Sequence, residues 1–553
     1  MKSVMNHNFA NIPAPQIQRS VFDRSHGYKT TFDAGYLIPF FIDEILPGDT
    51  LGLNATIFAR IATLLQPIMD NVFLETFFFF VPNRILWNNW EKFQGAQTDP
   101  GDSTDYLIPI IDMEDDGQFA SGDIYDYFGL PTNIAVSGTE PFNALPCRAY
   151  NLIWNEWFRS QDLQDSLNVP KDDGPDSIGL YALKKRGKRH DYFTSCLPWP
   201  QKGDAIELPL GISAPVVGNG TTLGLYNLNN VPANVYAGLV QGPLTAGVYP
   251  LGVAQDLYGD PVGTTMGAGT PITSLKGIGV TQSASNSGLI ADLSTATAAT
   301  INQLREAFAF QKILERDARG GTRYVEILKS HFGVSVPDYR LQRPEYLGGG
   351  SQRVDVKAVA QTTGNPTTPG VKPNTPQGTL AAFSQVGQQS GFNKSFVEHG
   401  YVIGLVNVRS DISYQGGINK LWSRRERFDF YMPSLAHLGE QPVYNKEIYY
   451  PANGTGADTV FGYQERWAEY RYKPSMVTGK FRSDLSDTLD SWHLALDFDA
   501  SPSLNDSFMQ DDPPLDRVIA VPSQPHVIMD SYISMRHARP MPVYSVPGQL
   551  DRF

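Results

Sequence analysis

The chain of 553 residues is poor in the features that catalysis and secretion usually require. Two cysteines, Cys147 and Cys196, are too few for a disulfide framework or a cysteine-rich metal site. They read as two buried thiols in a protein assembled in a reducing cytosol. The opening MKSVMNHNFANIPAPQ carries no apolar run of the signal-peptide kind, and no apolar stretch reaches the length of a membrane span. The expectation is a chain that does not insert into membranes. The sequons at Asn54, Asn219, Asn453 and Asn505 then have no secretory context. A phosphate-binding loop, an HExxH helix, a GxSxG elbow and a CxxC pair are all missing. A net charge of −13 argues against a free-standing nucleic-acid binder, although an acidic protein can still present cations on one face.

Glycine and proline are abundant. Together they make 90 of 553 residues, which calls for many turns and long surface loops rather than a helical bundle. Thirty phenylalanines and 26 tyrosines suit strands and large interfaces. The run VFLETFFFFV at 72–81 is apolar on both faces, as a strand covered on both sides requires. Similar candidates are 51–58, 401–408 and 527–535.

Helices are few. Tyr150, Ile153, Trp154, Trp157 and Phe158 recur at helical spacing after Pro146, with Arg148, Asn151 and Arg159 expected to turn away. A second helix is expected from Thr300, where Thr300 and Gln303 have capping-box spacing, to the stop at Gly320 and Gly321. A shorter one is expected from about Tyr324 to Gly333. Residues 361–390, rich in Pro, Thr and Gln, read as a loop. Residues 208–298 are dense in Gly, Thr, Ala, Asn and Val, with almost no charge, and read as a compact β-rich excursion. Many short strands with few helices leave a β-sandwich or a jelly roll open.

Candidate ligand sets are weak. His437 with Glu440 reads as polar groups facing solvent, the pair Asp497 and Asp499 begins like a calcium loop, and the spaced Asp484, Asp487 and Asp490 could bind calcium but fit turn caps better. The apparent calcium loop fails at Pro502 and Phe508, where Gly and Glu are needed. No metal and no cofactor is expected. Two basic stretches stand out: Lys184, Lys185, Arg186, Lys188 and Arg189, and then Arg424, Arg425 and Arg427 beside Trp422 and Phe428. Each fits phosphate contact with nucleic acid, and each fits pairing across a protein–protein interface, which is the preferred reading for the first stretch.

Several long strings carry a resemblance. FDAGYLIPFF, DEILPGDT, PIMDN and FFFFVPNR lie near the N-terminus, and RLQRPEYLGGG, FGYQERWAEYRYKPS and ARPMPVYSVPG follow. The chain resembles the major capsid proteins of gokushoviruses, small single-stranded DNA phages of the Microviridae. The resemblance implies a mainly β fold, an eight-stranded viral jelly roll with long loop insertions and a few helices. It implies an N-terminal arm at 1–24, jelly-roll parts at 25–207 and 299–553, and an inserted protrusion at 208–298 that gathers at three-fold axes and takes part in host attachment. It also implies a T=1 shell of about sixty copies. Such a shell is assembled in the bacterial cytoplasm around circular single-stranded DNA, with internal phage proteins and a bacterial surface receptor as further partners. A β-sandwich carbohydrate-binding protein or glycoside hydrolase is the alternative, and no carboxylate pair singles itself out for it.

Overall fold

The structure is a computed structural model. It describes residues 18–99, 101–113, 118–133, 142–204, 301–319, 342–362 and 378–544, with isolated residues and short strand pieces elsewhere. Two compact units are present: residues 1–202 with 314–553, and residues 203–313.

The larger unit is built on ten strands: β1 (Ser20–Asp23), β2 (His26–Phe32), β3 (Ile38–Ile45), β4 (Thr50–Ile61), β5 (Val72–Pro82), β6 (Glu345–Arg353), β7 (Asp355–Ala360), β8 (Leu380–Ser395), β9 (Gly400–Ser410) and β10 (Val527–Arg539). One sheet runs β2–β10–β4–β8, with β1 also on β10 and β7 on the far edge of β8; the other runs β6–β5–β9–β3. Every neighbouring pair is antiparallel. The first and last strands pair, and most connections from β2 onward cross between the sheets, the exceptions being β5 to β6 and β7 to β8. This is the double Greek key of a jelly roll. Residues 83–344 and 411–526 are the two long connections, after β5 and after β9.

The sheets differ in how they are covered. Phe78, Phe80, Val402 and Val406 point into the space between the sheets and meet Leu53, Ala55, Ile57 and Ile533. Phe79, Val81, Ile403 and Leu405 point the other way, into a second core with Leu145, Ala149 and Ile153 of helix α1 (Leu145–Ile153). The 72–81 and 401–408 strands are therefore covered on both faces. The strands at 51–58 and 527–535 are not: β4 and β10 alternate between buried and exposed, with Phe58, Ile528 and Tyr532 outside. No element covers that face of the subunit among the described residues.

Three expectations need correction. Arg148 and Asn151 of α1 are buried rather than turned away. Arg148 donates to both carboxylate oxygens of Asp176 at 2.7 Å and to the Asp172 carbonyl at 3.0 Å, so the helix is covered on its polar side too. Helix α1 continues through a π-helical turn, Trp154–Phe158, in which Trp157 stays partly exposed. The supposed loop at 361–390 contains most of β8. Its inward row, Ala382, Ser384, Val386, Gln388 and Ser390, is largely polar, and those side chains hydrogen-bond internally except for Gln388 Oε1. Ser384 Oγ accepts from the Ile61 amide at 2.7 Å, and Gln388 Nε2 donates to Thr76 Oγ1 at 2.9 Å. Hydrogen bonding to neighbouring strands replaces the apolar alternation that would have marked the strand.

Helix α2 (Ile301–Arg319) forms where the 300–320 pattern places it, and its expected cap and stop residues lie outside the described residues, as does the shorter helix but for Ser330. In the 203–313 unit, Val216–Gly218 pairs with Leu289–Ala291 and Leu225–Tyr226 with Gly279–Val280; most of 208–298 lies outside the described residues. Residues 1–17 also lie outside them, while β1 shows the end of the arm paired to the subunit's own sheet.

Candidate functional site

Residues 184–188 are threaded between two backbone segments. The Leu37 amide donates to the Lys184 carbonyl at 3.0 Å and the Arg186 amide to the Gly35 carbonyl at 2.9 Å. On the other side, the Lys188 amide donates to the Met509 carbonyl at 2.8 Å and the Asp511 amide to the Arg186 carbonyl at 2.7 Å. The strip thus behaves as an extra extended piece that ties the two long insertions to the sheet.

Its side chains converge on Glu75, the lone carboxylate in the apolar run of β5. Arg186 Nη1 pairs with Glu75 Oε2. Arg189 Nη2 meets Glu75 Oε1 at 3.1 Å, and Arg409 Nη2 of β9 meets the same oxygen at 2.5 Å. Ser351 Oγ donates to it at 3.1 Å. Burial pushes the Glu75 carboxyl up, but Arg186 and then Arg409 outweigh it and hold the group at about 2. Four of the five strip cations also lie over a ring: Arg186 over Phe77 at 4.8 Å, Arg189 over Phe73 at 4.9 Å, Lys188 over Phe508 at 4.5 Å and Lys185 over Tyr36 at 5.3 Å. Lys188 is largely desolvated, which lowers its pKa, and Nζ donates to the Phe508 carbonyl at 2.7 Å. Lys185 Nζ pairs with Asp512 at 2.7 Å. Beside Arg189 a groove of about 470 Å³ is lined by Phe77, Phe79, Trp157, Phe158 and Tyr346.

The strip is therefore engaged first within its own chain. Arg189, 41% exposed and shared between Glu75 and Asp411, is its most accessible arginine. The sequence reading missed Glu75, Arg409 and Asp511. The signal available was one glutamate inside VFLETFFFFV, since a carboxylate on a strand buried on both faces must meet a cation. Asp511 beside the strip is buried with Oδ2 unpartnered, and burial raises its pKa to about 7 despite Arg409 and Lys188 nearby.

The second basic stretch is not brought to the first. Arg424 pairs with Glu469 at 3.1 Å and stacks on Tyr470 at 4.2 Å, whereas Arg425 and Arg427 are exposed and have no ion-pair partner among the described residues. No group of three or more potential metal ligands occurs among the described residues. Glu440 of the His437 pair is held by Arg319. Cys147 and Cys196 are free and buried, and burial raises both thiol pKa values.

Comparisons with known proteins agree with this architecture. The chain is 48% identical to the capsid protein VP1 of Bdellovibrio phage phiMH2K, covering 99% of this chain and 98% of that protein. It is 44% identical to the capsid protein VP1 of Chlamydia phage 1 over 99% and 98%, and 36% identical to that of Spiroplasma virus 4 over 98% and 97%. The profile of the capsid protein (F protein) family matches residues 10–549. The resemblance to gokushovirus capsid proteins is borne out. This chain belongs to the Phage_F capsid protein family, whose members are structural proteins assembled in many copies into a virion shell.

Proposed function

We propose that about sixty copies of this chain close into a T=1 icosahedral shell around a circular single-stranded DNA genome, in the cytoplasm of a bacterial host. The supporting observation is the double Greek key together with a family match that spans both long insertions. Such a subunit presents one uncovered sheet face and two large excursions for contacts with its neighbours. Recombinant chain examined by charge-detection mass spectrometry and cryo-electron microscopy should give closed particles of about sixty copies. A monomer at all concentrations would overturn the reading.

Within that shell the arm at 1–24 runs along the inner surface or a neighbour, and 208–298 projects outward at the three-fold axes, where it contacts the bacterial receptor. The charge-poor, Gly- and Thr-rich composition of 208–298 supports a variable projecting structure. Deleting residues 218–287 should leave particles that no longer adsorb to host cells; normal adsorption would refute the attachment role. On the inner face, Arg189 and the half-buried Lys184 are the strip residues best placed for phosphate or neighbour contact. Their replacement by Gln should reduce genome retention and the salt dependence of single-stranded DNA binding. Collapse of assembly with unchanged DNA affinity would instead mark an interface.

A further inference from the structure

Residues 420–432 and 466–482 form one surface whose outer side chains no other described residues cover. Arg424 is its pivot, paired with Glu469 and stacked on Tyr470. The Tyr431 ring lies 5.7 Å from Trp467 and 6.2 Å from Tyr470, which joins the two stretches. Around this pivot Trp422 is 78% exposed and Phe428 61%, with Phe430, Tyr431 and Tyr470 about half exposed. Short turns set this shape: Asp429 Oδ2 accepts from the Arg425 and Glu426 amides at 2.8 and 2.9 Å. A contiguous apolar patch of this kind marks an interaction site, and Trp, Tyr, Phe and Arg are the residue types that anchor protein contacts.

The charge of the patch points to its occupant. The two stretches hold nine lysines and arginines against three carboxylates. The rest of the chain is acidic, and one part is extreme: between Lys92 and Arg148 lie ten carboxylates and no lysine or arginine. In the described part of that segment Asp99 and Asp105 are exposed, beside Leu107, which is 85% exposed. The same chain thus carries a cationic aromatic face and an anionic face with its own apolar residues.

We infer that the 420–432 and 466–482 patch docks on the 93–113 segment of a second copy. This deepens the shell reading and rests on it. The contact is heterologous, with different faces meeting, as closure of a three- or five-membered ring requires. Nucleic acid fits the patch less well. Glu426 and Asp429 sit among Arg425, Arg427 and Phe428, where they would repel a run of phosphates.

A charge swap in the full chain tests this. Arg425→Glu with Arg427→Glu, and separately Asp99→Lys with Asp105→Lys, should each lower particle yield by about tenfold or more, since a weakened contact is repeated around the whole shell. All four substitutions together should restore it. Trp422→Ala with Phe428→Ala should lower yield without any charge change, and circular dichroism should show folded subunits in every case. Wild-type yield from the arginine pair, or no rescue by the four-fold chain, overturns the inference. Normal assembly with loss of single-stranded DNA retention does so too, since it makes nucleic acid the occupant. If the wild-type chain forms no particles, the shell reading fails separately. Carbodiimide coupling of Lys473 to Asp99 or Asp105 between isotopically distinct copies then decides the contact alone: coupling supports it and its absence overturns it.

Discussion

Arg186 and Arg427 sit in strings that look alike, RGKRHDYF and SRRERFDF, each with cations beside aromatics. Arg186 is folded against Phe77 and the carboxylate of Glu75, between strands of a sheet covered on both faces. Arg427 stands exposed on a short turn next to Phe428, and no carboxylate of the described chain reaches it. The difference lies in what the fold brings opposite each string. Residues 184–188 run between 35–37 and 509–511, which forces their side chains onto β5, while 424–427 lie on an insertion with no layer above them. Local composition carries no record of that opposing layer.

Breaking the buried member should have the largest effect. Glu75→Gln leaves Arg186, Arg189 and Arg409 together without their carboxylate and should cost about 3–5 kcal/mol, measured by urea denaturation of the subunit. Glu426→Gln on the exposed string should stay within about 0.5 kcal/mol. The depressed Glu75 pKa gives the same contrast a pH signature. Its stabilisation is fully present above the unfolded value near 4.5 and is lost as pH falls toward about 2. Wild-type stability should therefore drop over that window, and the Gln variant should show a flatter profile.

A smaller effect of opposite sign is expected at Asp511. Its folded pKa of about 7 lies above the unfolded value of 3.8, so ionisation costs stability as pH rises between the two. Asp511→Asn should raise stability by about 1–3 kcal/mol at pH 8 and change little at pH 4, by thermal melts at both pH values. An Asn variant less stable at pH 8 would mean that the carboxylate there is a net partner of Arg409 and Lys188. Arg189→Gln, at the half-exposed edge of the Glu75 cluster, should cost about 1 kcal/mol. Arg427→Gln should leave subunit melting unchanged while lowering particle yield, and loss of subunit stability there would break the contrast altogether.

Much of the scaffold was legible because it follows from period and coverage. VFLETFFFFV could only be a strand buried on both faces, and the 401–408 run likewise. Strand β8 was not legible, since its inward Ser384, Gln388 and Ser390 hydrogen-bond to β4 and β5 rather than packing as apolar residues. Arg148 read as solvent-facing because its partner Asp176 is 28 residues away, in a segment without periodic pattern. The eight candidate cations were all found from composition. Which of them are satisfied could not be, because Glu75 and Arg409 come from strands that meet the strip only after the sheet closes.

By itself the sequence determined the class of the protein: long family-like strings, strand-forming aromatic runs and turn residues in excess, with no catalytic motif. These are local properties, set by side-chain chemistry within a few residues. The tertiary structure alone decided the strand order β2–β10–β4–β8 and β6–β5–β9–β3, the burial of the first basic string and the exposure of the second. Each depends on contacts between residues hundreds of positions apart, such as Ser20 with Arg539 and Glu75 with Arg409. Such contacts form only once loop closure is repaid by the packing of both sheets.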